Sequence, residues 1–288
     1  MTGNRPRILV GIDGSEDGIR AARYGIGRAL RLDGDLWFVN AVDDGVVTGG
    51  WGIIYDPGVL KEAGQAAVAQ ACDLAVAKGM PADRIRTDVV IGSPTTVLSQ
   101  FSKEAEILIV GRRASTGLER MFVGSTSTAL ASAAFCPLVV ISAASTPEPT
   151  GAFHRITVAI SGSGDTALRW ACQEASTRPS TVDVVHIIPY QTSLVGTVLP
   201  ATVAQERAWE QRVSASLESL VAPVRAQYKD LEITVRSQRG VLADELIQES
   251  ANVDLLVLGV KARPAVMIGG PVRALLAHAA CPVALISR

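Results

Sequence analysis

The sequence is short of the residues that announce most chemistries. Histidine occurs three times and cysteine four times in 288 residues. The cysteines (Cys72, Cys136, Cys172, Cys281) form no CxxC pair, and no histidine has a second ligand at metal-binding spacing, so zinc is not expected. No GxSxG run and no Ser/His/Asp arrangement points to nucleophilic catalysis, and no Gly-Lys-Ser/Thr run completes a Walker A motif. There is no basic block, and the formal charge is −1, which argues against an electrostatic footprint for nucleic acid. The opening MTGNRPRILVGIDGS has no long apolar core followed by a cleavage site, so secretion is not expected. Residues 121–147 carry no charge, but Pro137 divides them and Ser/Thr residues stud their first half. A buried helix followed by a buried strand fits that stretch better than a membrane span.

What remains is ample for folding. Hydrophobic residues make up 48% of the chain and charged residues 19%, enough for substantial cores and too little charge for disorder. Two domains are the natural expectation for this length. The cysteines all sit in apolar segments, as reduced, buried thiols of a cytoplasmic protein would.

The chain also repeats itself. ILVGIDGS (Ile8 to Ser15) matches ITVAISGS (Ile156 to Ser163), and Gly92/Gly240 and Gly111/Gly259 keep the same offset of 148. Cys136-Pro137/Cys281-Pro282 and Gly124/Gly269 are offset by 145, so the second copy has lost three residues between Gly259 and Gly269. A small, Pro-containing, polar segment, Ser142 to His154, separates the copies. Domains over residues 1–146 and 152–288 are expected.

In the first copy, short apolar runs alternate with helical periodicity. Strands are expected at Arg7 to Ile12, Leu36 to Val42, Ile85 to Ile91, Ile107 to Val110 and Leu138 to Ile141. Helices are expected from Glu16 to Arg31, Val59 to Lys78, Pro94 to Lys103 and Thr126 to Ala134. This alternation implies an α/β fold, two tandem doubly wound parallel-sheet domains, with a flavodoxin-like order among the few topologies open.

The stretch ILIVGRRASTGLERMFVGSTS, Ile107 to Ser127, couples a buried strand to a glycine-bearing basic loop and a helix start. Unpaired amides and the helix dipole make such a place suited to an anion, and Arg112, Arg113 and Arg120 can meet phosphate oxygens. An ordinary strand–helix connection is the other reading. In a doubly wound sheet, strands 1 and 4 meet where the winding reverses, so the Asp13 loop would face the Gly111 loop across one crevice. Asp13 can accept from a ribose hydroxyl or an adenine amine, or help hold a divalent metal; alternatively Asp13 or Ser15 caps the helix.

Both copies resemble universal stress protein domains, over nearly the whole chain. Val10-Gly11-Ile12-Asp13-Gly14-Ser15 is similar to the family's first strand, and Gly111, Ala114 and Gly124-Ser125 keep its G-x-x-G, nine-residue, G-S/T spacing except for alanine at 114. The resemblance implies an adenine nucleotide alpha hydrolase-like domain with strand order 3-2-1-4-5 that binds ATP, with Mg2+. It places adenine near Gly11, Ile12, Asp13 and Ala41, and phosphates on Gly111, Arg112, Arg113, Ala114, Ser115, Gly117 and Arg120, and on Gly124, Ser125, Thr126 and Ser127. Ala114 shifts the expectation toward weaker binding, or toward a smaller nucleotide such as AMP or ADP.

The second copy departs further. Ser161 replaces Asp13, Ala159 replaces Gly11, the loop after Gly259 is shorter, and Pro271 stands where Thr126 does, removing an N–H near the helix start. A degenerate, structural second domain is expected. Ser161-Gly-Ser-Gly-Asp-Thr166 is similar to the SGGxDS loop of PP-loop pyrophosphatases, which leaves an adenylating enzyme as a lesser reading; a Ser/Gly turn capping a helix at Asp165 is the plainer one. The chain thus reads as a tandem, nucleotide-responsive stress regulator with slow ATP hydrolysis at most. The alternative is a scaffold without nucleotide. The fifth strands, Leu138 to Ile141 and Val283 to Ile286, are expected to pair the two domains. A homodimer and an unknown regulatory protein partner are further expectations, with no nucleic acid and no membrane.

Overall fold

A computed structural model describes residues 5–43, 57–112, 124–141, 154–160, 165–190, 203–260 and 269–287. The first copy runs β1 (Arg7–Gly11), α1 (Glu16–Leu32), β2 (Asp35–Val42), α2 (Pro57–Ala77), β3 (Ile85–Ile91), α3 (Pro94–Phe101), β4 (Ile107–Gly111), α4 (Ser125–Ala133) and β5 (Leu138–Ile141). The second runs β6 (Arg155–Ala159), α5 (Asp165–Ala175), β7 (Thr181–Ile188), α6 (Val203–Gln227), β8 (Ile233–Arg239), α7 (Leu242–Glu249), β9 (Leu255–Val260), α8 (Gly270–His278) and β10 (Val283–Ser287).

All ten strands among the described residues join one sheet in the order β3-β2-β1-β4-β5-β10-β9-β6-β7-β8. Each half has the expected order 3-2-1-4-5, and within each half the pairings are parallel. The single antiparallel seam lies between β5 and β10, with Leu138 opposite Leu285 and Val140 opposite Val283. The fifth strands therefore pair as expected, and each covers the other's open edge.

Strand residues alternate between two cores because successive side chains point to opposite faces. Ile8 and Val10 enter one core, with α1, α2, α5 and α6; Leu9 enters the other, with α3, α4, α7 and α8. Both cores run through both halves. Parallel strands covered on both faces have to be apolar throughout, which is why β4 reads Ile-Leu-Ile-Val. Each such side chain fully withdrawn from water contributes roughly 1.5–3 kcal/mol. Within the second core, Trp37 of β2 stacks on Phe101 with ring centroids 4.8 Å apart, and its indole N–H donates to Asp88 at 2.6 Å.

The four cysteines are free thiols, three of them buried, with Cys72 only partly so. Burial pushes the thiols of Cys136, Cys172 and Cys281 up to about 12. No described helix is long and apolar enough to cross a membrane.

Candidate functional site

Strand order reverses between β1 and β4, which lie side by side with Gly11 opposite Val110. The chain leaves β1 through Ile12, whose N–H is held by Val39 of β2 at 2.8 Å and whose carbonyl accepts from the Asn40 side-chain amide at 2.7 Å. That fixes the turn carrying Asp13. Ser15 is the cap of α1, its Oγ accepting from the Gly18 N–H at 3.0 Å. Asp13 braces the cap: its Oδ1 accepts from the Ser15 N–H at 3.0 Å and from the Ser15 hydroxyl at 2.6 Å. Of the two capping readings Ser15 is the one realised, with Asp13 holding the cap residue rather than a helix amide. These bonds use one carboxylate oxygen, Oδ1, and Asp13 is exposed.

The end of β4 closes on the same place. A Cβ at Gly111 would lie 2.6–2.8 Å from backbone atoms of Asp17 and Gly18, and one at Gly18 would lie 2.5 Å from Asp13 Oδ1. Glycine at both positions lets the last residue of β4 sit directly against the start of α1. Asp13, Gly18 and Gly111 are therefore contiguous.

Beyond Gly111 the backbone of Arg112 is pinned on two sides. Its N–H donates to the Ile141 carbonyl at 2.7 Å, and its own carbonyl accepts from the Gly124 N–H at 3.2 Å and from Ser127 Oγ at 3.3 Å. A Cβ at Gly124 would come within 2.4 Å of that carbonyl, so glycine is what lets the two ends of the loop meet. Gly124 caps α4 with no side-chain hydrogen bond. Ser125 is exposed, Thr126 half-buried, and Ser127 buried with its hydroxyl spent on the loop base. The first amides of α4 thus receive no side-chain cap, which leaves them suited to an anion.

Of the expected site residues, Gly11, Ile12, Asp13, Gly111, Arg112, Gly124, Ser125, Thr126 and Ser127 gather at this switch point, with Ala41 near the end of β2 beside Val90. Arg113, Ala114, Ser115, Gly117 and Arg120 lie outside the described residues. Arg112 has a second attachment: its guanidinium donates to the carbonyl of Ala277 in α8 of the other half. Asn40 was not among the expected residues. It is buried, its Oδ1 has no partner among the described residues, and Gly64 of α2 leaves room for it. The signal was a lone amide in the apolar strand Trp37-Phe-Val-Asn-Ala-Val42.

The corresponding place in the second half keeps the scaffold. The Ile160 N–H donates to Val185 at 2.9 Å, and His186 Nδ1 takes the part of Asn40, lying 2.7 Å from the Ile160 carbonyl. A bond to a carbonyl requires the Nδ1–H tautomer. Among the described residues no group of three or more His, Cys, Asp or Glu can hold a metal ion.

A model of the universal stress protein family matches residues 4–142 and again 152–287. The chain belongs to the universal stress protein family. A universal stress protein of Mycobacterium tuberculosis is 29% identical over 296 residues, covering 98% of this chain and 96% of its own. The crystal structure of a universal stress protein from Archaeoglobus fulgidus superposes with a TM-score of 0.69 at 15% identity, covering 98% of this chain and 96% of that one. A universal stress protein solved in complex with cAMP matches 48% of this chain at 22% identity, with a TM-score of 0.38.

Proposed function

We propose that this universal stress protein is a cytoplasmic, adenine-nucleotide-responsive regulator with one site, in a first domain of residues 1–146. The observation that carries the reading is that Asp13 and the end of β4 at Gly111 both lie against Gly18 at the β1/β4 switch point, while Gly124, the cap of α4, is held to the next residue, Arg112. The two ends of the crevice differ in charge as the two ends of a nucleotide do. Asp13 Oδ2 is an acceptor for the ribose or the adenine amine, Ala41 and Ile12 border the base, and the amides after Gly124 receive phosphate. ATP with Mg2+ is the proposed ligand, the metal arriving on the phosphates, with AMP or ADP as weaker ones. The second domain, residues 152–288, serves pairing, since Ser161 and Pro271 remove the carboxylate and an amide.

A second reading has its own observation. Gly111 and Gly124 are each required by backbone packing alone, and Arg112 is attached to Ala277, so this loop base is equally suited to a scaffold that joins two halves. Protein denatured directly after purification, together with an ATP–Mg2+ titration, separates the two. About one adenine nucleotide per chain, lost in Asp13→Ala, supports the regulator. No nucleotide, and no stabilisation at millimolar ATP, leaves the scaffold.

A further inference from the structure

Helix α1 carries a second charged feature, well away from the Asp13 loop. Tyr24, Arg28 and Arg31 lie 9 to 16 residues beyond Ser15, or roughly 14–24 Å along the helix axis at 1.5 Å per residue. Here α1 meets α5 of the other half. Glu174 is almost wholly buried and clasps both arginines, one carboxylate oxygen on Arg28 Nη1 and the other 3.0 Å from Arg31 Nη2. Arg31 Nε also donates to Thr177 Oγ1 at 3.1 Å, Arg28 Nη2 reaches Glu106 at 3.4 Å, and Arg28 lies over the Trp170 ring.

The cluster is not balanced. Arg178, from the turn after α5, adds a third guanidinium whose charge acts on both Arg28 and Arg31. All three of its side-chain nitrogens are shut off from solvent without a partner among the described residues. The same holds for Arg28 Nε and for the hydroxyl of Tyr24, a residue only 2% exposed. Among the described residues three cations face two carboxylates, and one of those, Glu106, has a side chain 42% exposed and is screened by water. Burial lowers the guanidinium pKa of Arg28 and takes that of Arg31 to about 10. A buried donor left unmade is costly, and a buried net charge more so. Water does not cure the imbalance, because it brings no charge. An oxyanion does, because its oxygens accept from guanidinium and hydroxyl donors together.

We propose that this inter-domain cluster binds a small free oxyanion, inorganic phosphate or sulfate, between Tyr24 and Arg28 of the first half and Arg178 of the second. The exposed flank at Glu106 is the way in. The bound ion joins the two halves on the sheet face opposite Arg112 and Ala277, at a site separate from the proposed nucleotide crevice.

The test is a titration of the full chain with inorganic phosphate, read by calorimetry and thermal melting, with sodium chloride at matched ionic strength as the reference. The expected result is saturable binding near one equivalent that persists in saturating ATP and is at least about tenfold weaker in both Arg178→Gln and Tyr24→Phe. Circular dichroism establishes that each variant folds; should Arg178→Gln fail, Tyr24→Phe, which deletes only the orphan hydroxyl, decides. Absence of any response beyond chloride overturns the proposal, as does binding unchanged in the folded variants. Phosphate binding abolished by ATP assigns the ion to the nucleotide crevice and equally overturns it, without touching the case for nucleotide there.

Discussion

The two halves share their scaffolding bonds and differ where a ligand would sit. The Leu108 N–H donates to the Pro137 carbonyl at 2.9 Å, as the Leu256 N–H does to Pro282 at 3.0 Å. Ser102 Oγ holds the Phe135 amide at 2.9 Å, and Ser250 Oγ holds the Ala280 amide at the same distance. Gly92 bonds Val42 as Gly240 bonds Ile188. At the strand 1 exit the bond to the carbonyl persists while its donor changes from Asn40 to His186. At the fourth helix the likeness ends. Gly124 is wedged against the Arg112 carbonyl, whereas a Cβ at Gly269 would meet nothing nearer than Pro271 at 3.7 Å. Positions that build the sheet kept their chemistry; Asp13, Gly11 and Thr126 at the strand and helix ends did not, becoming Ser161, Ala159 and Pro271. What holds the two halves alike is therefore folding.

The largest test of this comparison lies at the seam. Val139→Asp places an unpaired charge in a fully buried strand beside Ala284, and should lower stability by about 3–5 kcal/mol in urea unfolding. Ala284→Asp should cost as much if the seam is symmetric. Next, Asp13→Ala should weaken ATP binding about 10- to 100-fold in a calorimetric titration, the worth of one charge-assisted hydrogen bond, while Ser161→Ala leaves it unchanged. Gly124→Ala should destabilise by about 1–3 kcal/mol, because the Arg112 carbonyl cannot move freely, whereas Gly269→Ala should be neutral or slightly stabilising.

The equivalent thiols of Cys136 and Cys281 should behave alike. Burial raises both above the ordinary value of 9, so the unfolded chain ionises first. Their contribution to stability is whole below pH 9 and is lost as pH rises toward about 12. Iodoacetamide at pH 8 should label neither in the native protein, and unequal labelling would break the equivalence. The smallest effect is expected for His186→Asn, which restores the donor used in the first half. It should cost under about 1 kcal/mol, against about 1–3 kcal/mol for His186→Leu, which orphans the Ile160 carbonyl.

Most of the architecture was legible in the sequence because it rests on local pattern. The β3 residues Ile85–Ile91 match the expected strand end for end, and α4 begins one residue before its expected start because Gly124 rather than Ser125 is the cap. The meeting of Asp13 with Gly111 followed from topology. What could not be read depends on partners far off in the chain. The Arg112 side chain bonds Ala277, 165 residues away, so basic character alone did not reveal its direction. Glu174 reads as one more polar residue of an amphipathic helix, yet its partners Arg28 and Arg31 come from the other half. Asn40 was hidden by its setting, since an amide within an apolar strand gives no hint of which carbonyl it serves.

Because one chain supplies both β5 and β10, their pairing is unimolecular and does not weaken on dilution. Stoichiometry is built in: every molecule holds one half of each kind. A substitution on either side of the seam changes that side alone, where in a pair of identical chains it would appear twice. Covalent tandem linkage thereby frees one copy to diverge from the other, and the asymmetry between Asp13 and Ser161 is the sort of change such freedom permits.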